Sequence, residues 1–207
     1  MLSFEPYFDV HSGKPARFSK NFSAKVAKEK CQTFDGRVEL FKDYYYGWYI
    51  TPLKQNLREG TALVTAHSLF SLCDVLEQFR QGQASSASTT SDFIKSALQS
   101  VYGNTFTKNL STTSANHYYG QLYTKLRNGL QHDMATRGVN VYLSDGVQSM
   151  LRIDENDDVV EIFFNVSEFL ARVDEVLTRY VEALKSQTDA SLIANFESIF
   201  PKIFPLI

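Results

Sequence analysis

The sequence predicts a mainly α-helical bundle with a small antiparallel β-meander inserted before its last long helix. Three observations carry this reading. Apolar residues recur at three- and four-residue steps over long runs, as in Leu63, Ala66, Phe70, Cys73, Leu76 and Phe79, which is the period of a helix with one buried face. Between 139 and 164 the pattern changes to three short strand-like runs, 139–143, 147–153 and 159–164. The runs are separated by Ser144-Asp145-Gly146 and by Glu155 to Asp158, the turn chemistry of consecutive hairpins. A stripe from Val166 to Leu184 then resumes the helical period almost without a break.

Composition sets the outer limits. A chain of 207 residues, 43% hydrophobic and 21% charged, is an ordinary globular length and buries roughly 70% of its unfolded surface. It needs no disulfide or structural metal to fold. Lys plus Arg total 21 against 23 Asp plus Glu, a net charge of -2. This excludes a strongly basic nucleic-acid coat and an acidic tail, but not a small basic pocket. The unusual number is the aromatic content of 14%, with 16 Phe and 11 Tyr. Cys31 and Cys73 lie far apart with no C-x-x-C spacing, which fits packing roles in a reducing compartment. MLSFEPYFDVHSGKPARF lacks a basic stretch followed by an apolar one, so it does not read as a signal peptide. No run approaches the ~20 apolar residues of a membrane span. The expectation is a cytoplasmic protein with no membrane association.

Taken in chain order, residues 1–34 read as an N-terminal extension packing on the bundle. Pro6, Gly13 and Pro15 are its breakers, and a short helix runs from Asn21 to Lys30. Residues 35–207 form the helical domain. In DGRVELFKDYYYGWYI the four-residue series Leu40/Tyr44/Trp48 and Phe41/Tyr45/Tyr49 predict one broad apolar stripe. Thr51-Pro52 marks a break or the first turn of a short helix. TALVTAHSLFSLCDVLEQFRQG is the clearest helix of the first half, with Thr61 as its cap and Gly82 at its end. QASSASTTS is loop-like. Thr90 or Ser91 caps DFIKSALQSVY, which Gly103 terminates, and NTFTKNLSTTSAN is a second polar connector. HYYGQLYTKLRNGLQHDMATRG is again helical, with Tyr119, Leu122, Tyr123, Leu126 and Leu130 on one side and Gly129 weakening its middle by roughly 1 kcal/mol. After the meander, Asn165 with Glu168 forms a capping-box-like start for the last long helix. DASLIANFESIF is a terminal helix ending at the first of two late prolines, and the apolar IFPKIFPLI packs back onto the bundle.

Reactive groups concentrate in one segment, LRNGLQHD, where Arg127, Asn128 and His132 make R-N-x-x-x-H. Histidine titrates near neutrality and can give or take a proton. Arginine stays charged and presents a fork suited to phosphate oxygens as charge builds in a transition state. Asn128 can orient His132 or bind phosphate, and the two lie four apart on one helix face. Arg127 and His132 are five apart, about 140° round a regular helix at ~100° per residue. Arginine's length, a distortion at Gly129, or completion of the site by a second subunit would each reconcile them.

This motif in a helical setting resembles the HEPN superfamily, all-α domains with an R-x(4–6)-H motif in which a polar residue such as Asn often follows the Arg. The likeness covers about residues 61–187 as an arrangement, and the residue-level match is the motif alone. The resemblance implies a metal-independent endoribonuclease, without a cofactor, in which the RNA 2′-hydroxyl is the nucleophile, His132 the acid/base and Arg127 the phosphate stabiliser. It implies a homodimer, with RNA or a nucleotide as ligand and an antitoxin or another defence-system protein as partner. Some members are inactive binding or assembly modules, so a catalytically silent RNA- or nucleotide-binding domain is the alternative. A plain helical interaction protein, with the three residues simply solvated, is a third reading. One toxin branch carries a tyrosine two residues after the histidine, where this chain has Met134, which departs from that mode of control.

Other features read more simply. His67 on its apolar helix reads as half-buried and satisfied, His117 as surface, and His11 lies in the irregular lead-in; no spacing among the four histidines suggests zinc. The YYYGWY run reads as core or interface before it reads as a base-stacking platform, and Tyr46 is the ring least explained by the stripe. DENDD at 154–158 is a solvated turn without the spacing of a calcium loop.

Overall fold

The computed structural model describes residues 17–84, 90–103, 119–127, 139–142, 149–153 and 159–205. The described chain is mainly helical with one small sheet. Seven α-helices are present among the described residues: α1 (Ala24–Lys30), α2 (Phe34–Tyr45), α3 (Thr51–Asn56), α4 (Ala62–Gln81), α5 (Thr90–Tyr102), α6 (Val166–Ser186) and α7 (Ala190–Ile203). Two π-helical segments occur, Tyr46–Ile50 and Leu122–Arg127. The fold divides into two compact units. The first comprises Met1–Gln55, Phe79–Ala84 and Thr178–Ile207, and the second Asn56–Gln78 and Ser85–Leu177.

The first unit holds much of the aromatic excess. Phe41 meets Tyr45, Phe79, Tyr180 and Phe196 at ring-centroid distances of 4.7–5.7 Å. Such tilted and edge-on pairs add about 0.5–1.5 kcal/mol each beyond their burial. Phe204 is buried and touches Phe18, Tyr44 and Phe200, so the apolar C-terminal run packs back as expected as far as Phe204. Helix α7 continues through Pro201 rather than ending before it. Near a helix end the missing N–H costs one bond, and the Phe204 N–H still reaches Phe200 O at 2.8 Å.

Two local rules set the α1–α2 corner. Ser23 caps α1 through the Val26 N–H, and Thr33 caps α2 through the Gly36 N–H. Gly36 is needed for close approach, because a Cβ there would stand 2.0 Å from the Lys30 carbonyl oxygen. Asp43 ties down the segment before α1 by accepting hydrogen bonds from the Ser19 hydroxyl and from the Asn21 backbone and side-chain amides.

The single stripe expected over Leu40 to Tyr49 breaks at the π turn. Leu40, Phe41 and Tyr45 are buried, whereas Trp48 is 49% exposed and donates its indole N–H to Phe18 O. The reason lies in Pro52, which offers no N–H to the Trp48 carbonyl and would crowd it in a regular helix. The preceding turn widens to i→i+5 and rotates Trp48 off the stripe. Tyr46, unexplained by periodicity, meets Thr178 Oγ1 at 2.6 Å through its hydroxyl.

Helix α4 ends as expected at Gly82, which adopts φ +67°, a conformation costly for any residue with a Cβ. Its start differs. The Thr61 hydroxyl faces backwards, taking the Arg58 N–H and donating to Asn56 O. It therefore closes the preceding 3-10 turn, Glu59–Thr61, instead of capping α4. Gly103 likewise ends α5, with its N–H on Gln99 O at 2.7 Å.

The second unit contains the sheet: β1 (Val139–Tyr142), β2 (Met150–Ile153) and β3 (Val159–Asn165). The expected meander is corrected here. Strand order is β1-β3-β2; β2 pairs antiparallel with β3, as a hairpin requires, but β1 pairs parallel with β3, Val139 opposite Ile162. β1 and β2 are not neighbours in the sheet, and Ser144-Asp145-Gly146 lies outside the described residues. β3 is the longest strand, with Ile162 and Phe164 buried, and it takes the central place where both edges are paired. Asn140 on β1 is exposed, as an edge position allows. Phe164 packs with Phe70 and Phe169, and Tyr102 stacks on Phe169. Cys31 and Cys73 are both buried free thiols, as their spacing implied.

Candidate functional site

The segment leading into R-N-x-x-x-H starts with one α-helical turn at Tyr119 and passes into the π turn Leu122–Arg127. Tyr119, Leu122 and Leu126 are buried, which matches the apolar side expected for this helix. The Tyr119 hydroxyl donates to Gly103 O at 3.3 Å, and α5 packs against the π turn. Arg127 is the last residue of that turn. This π turn precedes the motif; the distortion at Gly129, one of three ways to bring Arg127 and His132 together, falls outside the described residues. A π turn advances the helical frame by about one residue, so Arg127 does not stand where an unbroken α-helix drawn from Tyr119 would put it. Asn128 and His132 lie outside the described residues, as do Gly129, Met134, His11 and His117.

Beside this segment the second unit builds a polar cluster from α5, Ser149 just before β2 and the first turns of α6. Its centre is Glu168. One carboxylate oxygen accepts the Ser149 backbone N–H at 2.7 Å; the other accepts Arg172 Nε–H at 2.8 Å. The guanidinium lies over the Tyr102 ring, 5.3 Å from its centroid, a cation–π contact. Asn165 caps α6 by accepting the Glu168 N–H at 3.0 Å, while its own N–H goes to Ser149 Oγ at 2.9 Å. Only one arm of the expected capping box is therefore closed by Asn165 and Glu168 themselves. The Ser149 hydroxyl takes the other.

Electrostatics follow from this packing. Burial pushes the Tyr102 phenol well above its usual range; the Ser149 hydroxyl and Arg172 oppose the shift, and Glu168 and Cys73 add to it. Burial also raises Tyr119, and the Arg172 charge again opposes it. Arg172 therefore acts on two tyrosines, one of them on the motif-bearing segment. The Cys73 thiol is pushed up by burial and then by Glu77 and Asp74, which makes it an inert packing group rather than a nucleophile. Glu77 is buried and accepts the Ser96 hydroxyl at 2.6 Å. His67 is half-buried. Among the described residues no group of three or more His, Cys, Asp or Glu is placed to hold a metal ion, and no helix is long and apolar enough to cross a membrane.

The chain matches no family model, no curated protein and no solved structure.

Periodicity did not single out Arg172 or Tyr102 as site residues. Glu168 was legible only as a helix-start residue, since its partner Ser149 lies 19 residues away. The one available signal was the i, i+4 spacing of Glu168 and Arg172, which is common on solvated helices.

Proposed function

We propose that this chain is a HEPN-like, metal-independent endoribonuclease that acts as a cytoplasmic homodimer, with an antitoxin or defence-system protein as its partner. The observation that carries the reading is R-N-x-x-x-H, Arg127, Asn128 and His132, in a mainly helical chain. RNA brings its own nucleophile. His132 would take the proton of the 2′-hydroxyl and return one to the leaving 5′-oxygen. Arg127 would hold the charge building on the phosphate, and Asn128 would orient the imidazole or the phosphate. The product is a 2′,3′-cyclic phosphate. The π turn ending at Arg127 supports the reading, because such turns recur at functional sites.

The test is incubation of the purified protein with labelled RNA in EDTA, beside His132→Ala and Arg127→Ala. The expected result is cleavage by wild type and loss of at least about 100-fold in both variants, the usual scale of a general acid–base contribution. Equal cleavage by wild type and His132→Ala would sink the assignment. RNA binding without cleavage would instead favour the silent binding module.

A further inference from the structure

We propose that Arg172 is a second phosphate-binding residue, which grips the backbone of a single RNA strand near the R-N-x-x-x-H segment; this rests on reading the chain as one that acts on RNA. Among the described residues, Glu168 is the one hydrogen-bonding partner of the Arg172 guanidinium, and it engages Nε alone. The two terminal NH2 groups form the outer edge of the fork, the edge that matches two oxygens of one phosphate. The side chain is 28% exposed and its carboxylate partner 18%, so the group is half-buried yet open to a ligand. Glu168 on one side and the Tyr102 ring beneath fix the plane of the guanidinium, which lowers the ordering cost of binding.

The location suits a strand rather than a lone phosphate. Tyr119, whose hydroxyl reaches the Gly103 carbonyl next to the Tyr102 ring that lies under Arg172, stands eight residues before Arg127 on the same segment. At about 1.5 Å of helical rise per residue that is about 12 Å along the segment. An anion at Arg172 would then be a neighbouring phosphate of the strand, not the one under attack.

The experiment measures binding of a fluorescent 2′-O-methyl RNA oligonucleotide, which lacks the nucleophilic hydroxyl, across a salt series. Arg172→Gln is expected to bind about tenfold more weakly at low salt. Its plot of log affinity against log salt should flatten by about 0.7, the release associated with one phosphate on a single strand. Arg172→Lys, which keeps the charge but not the fork, should keep the slope and lose part of the affinity. A folded Arg172→Gln with the wild-type slope overturns the proposal. If Arg172→Gln does not fold, arginine-directed phenylglyoxal labelling of the wild type decides: the oligonucleotide should protect Arg172, and unchanged labelling overturns the proposal. A protein that shows the slope change or the protection but never cleaves RNA refutes the nuclease reading while upholding Arg172. A protein that cleaves with neither does the reverse, and one that binds no RNA refutes both.

Discussion

Glu168 accepts the backbone N–H of Ser149, 19 residues earlier in the chain, at 2.7 Å, and the Ser149 hydroxyl in turn takes the N–H of Asn165 at 2.9 Å. The residue that leads into β2 and the N-terminus of α6 are thereby tied together twice. The same carboxylate holds Arg172, so one side chain links a strand, a helix cap and the candidate phosphate grip.

Glu168→Gln keeps the shape but gives up the charge, and its amide cannot accept from both Ser149 and Arg172. A hydrogen bond to a charged group is worth about 1.5–3 kcal/mol. The expected loss of stability is of that order, read as a lower urea midpoint at unchanged slope. Asn165→Ala, which removes the cap, should cost about 1 kcal/mol.

Ser149→Ala tests the other tie. It leaves the buried Asn165 N–H without its acceptor, a cost of about 1–3 kcal/mol. Combined with Glu168→Gln, the total loss should fall short of the sum, because both act on one network. Additive losses in urea melts would show that the two ties are independent.

Gly36→Ala should invert the usual rule. In a helix interior Ala is favoured over Gly by roughly 1 kcal/mol. Here the added methyl would press on the Lys30 carbonyl, and overpacking costs about 1–3 kcal/mol. The variant should melt at a lower temperature than wild type, and a higher one would contradict the close approach of α1 and α2.

Alkali should unfold the protein through its tyrosines. Burial, then the neighbouring Tyr49, pushes Tyr44 up to about 12, and Tyr45, Tyr102 and Tyr180 are raised as well. Unfolded tyrosines ionise near 10, so above that pH the native state binds more protons than the unfolded one. Stability is then full below about pH 10 and falls as pH rises toward 12. Tyrosinate absorbance should rise in two phases, the later one coinciding with loss of helical circular dichroism. A single phase near 10 with the fold intact would contradict the burial.

Much of the helical architecture was legible because its causes are local. A 3.6-residue period marks α4 and α6, and a glycine free to adopt positive φ ends α4 at Gly82 and α5 at Gly103. Local chemistry misled where a neighbour outside the window competed. Pro52 widened the turn carrying Trp48, and the 3-10 turn captured the Thr61 hydroxyl. The candidate site divides the same way. Its reactive residue types are written in six consecutive positions from Arg127 to His132, whereas the surroundings of Arg172 come from three separate stretches of chain.

By itself, then, the sequence determined the helix faces, the burial of both cysteines and the presence of three strands, since these depend on side-chain polarity and spacing within a few residues. Tertiary structure alone decided that β3 rather than β2 lies at the centre of the sheet, and that Ser149 completes the cap of α6. It also decided that Tyr102 lies beneath Arg172. Each of these depends on which distant segments share a desolvated interior, where an unpaired N–H or charge must find a partner wherever the chain happens to bring one.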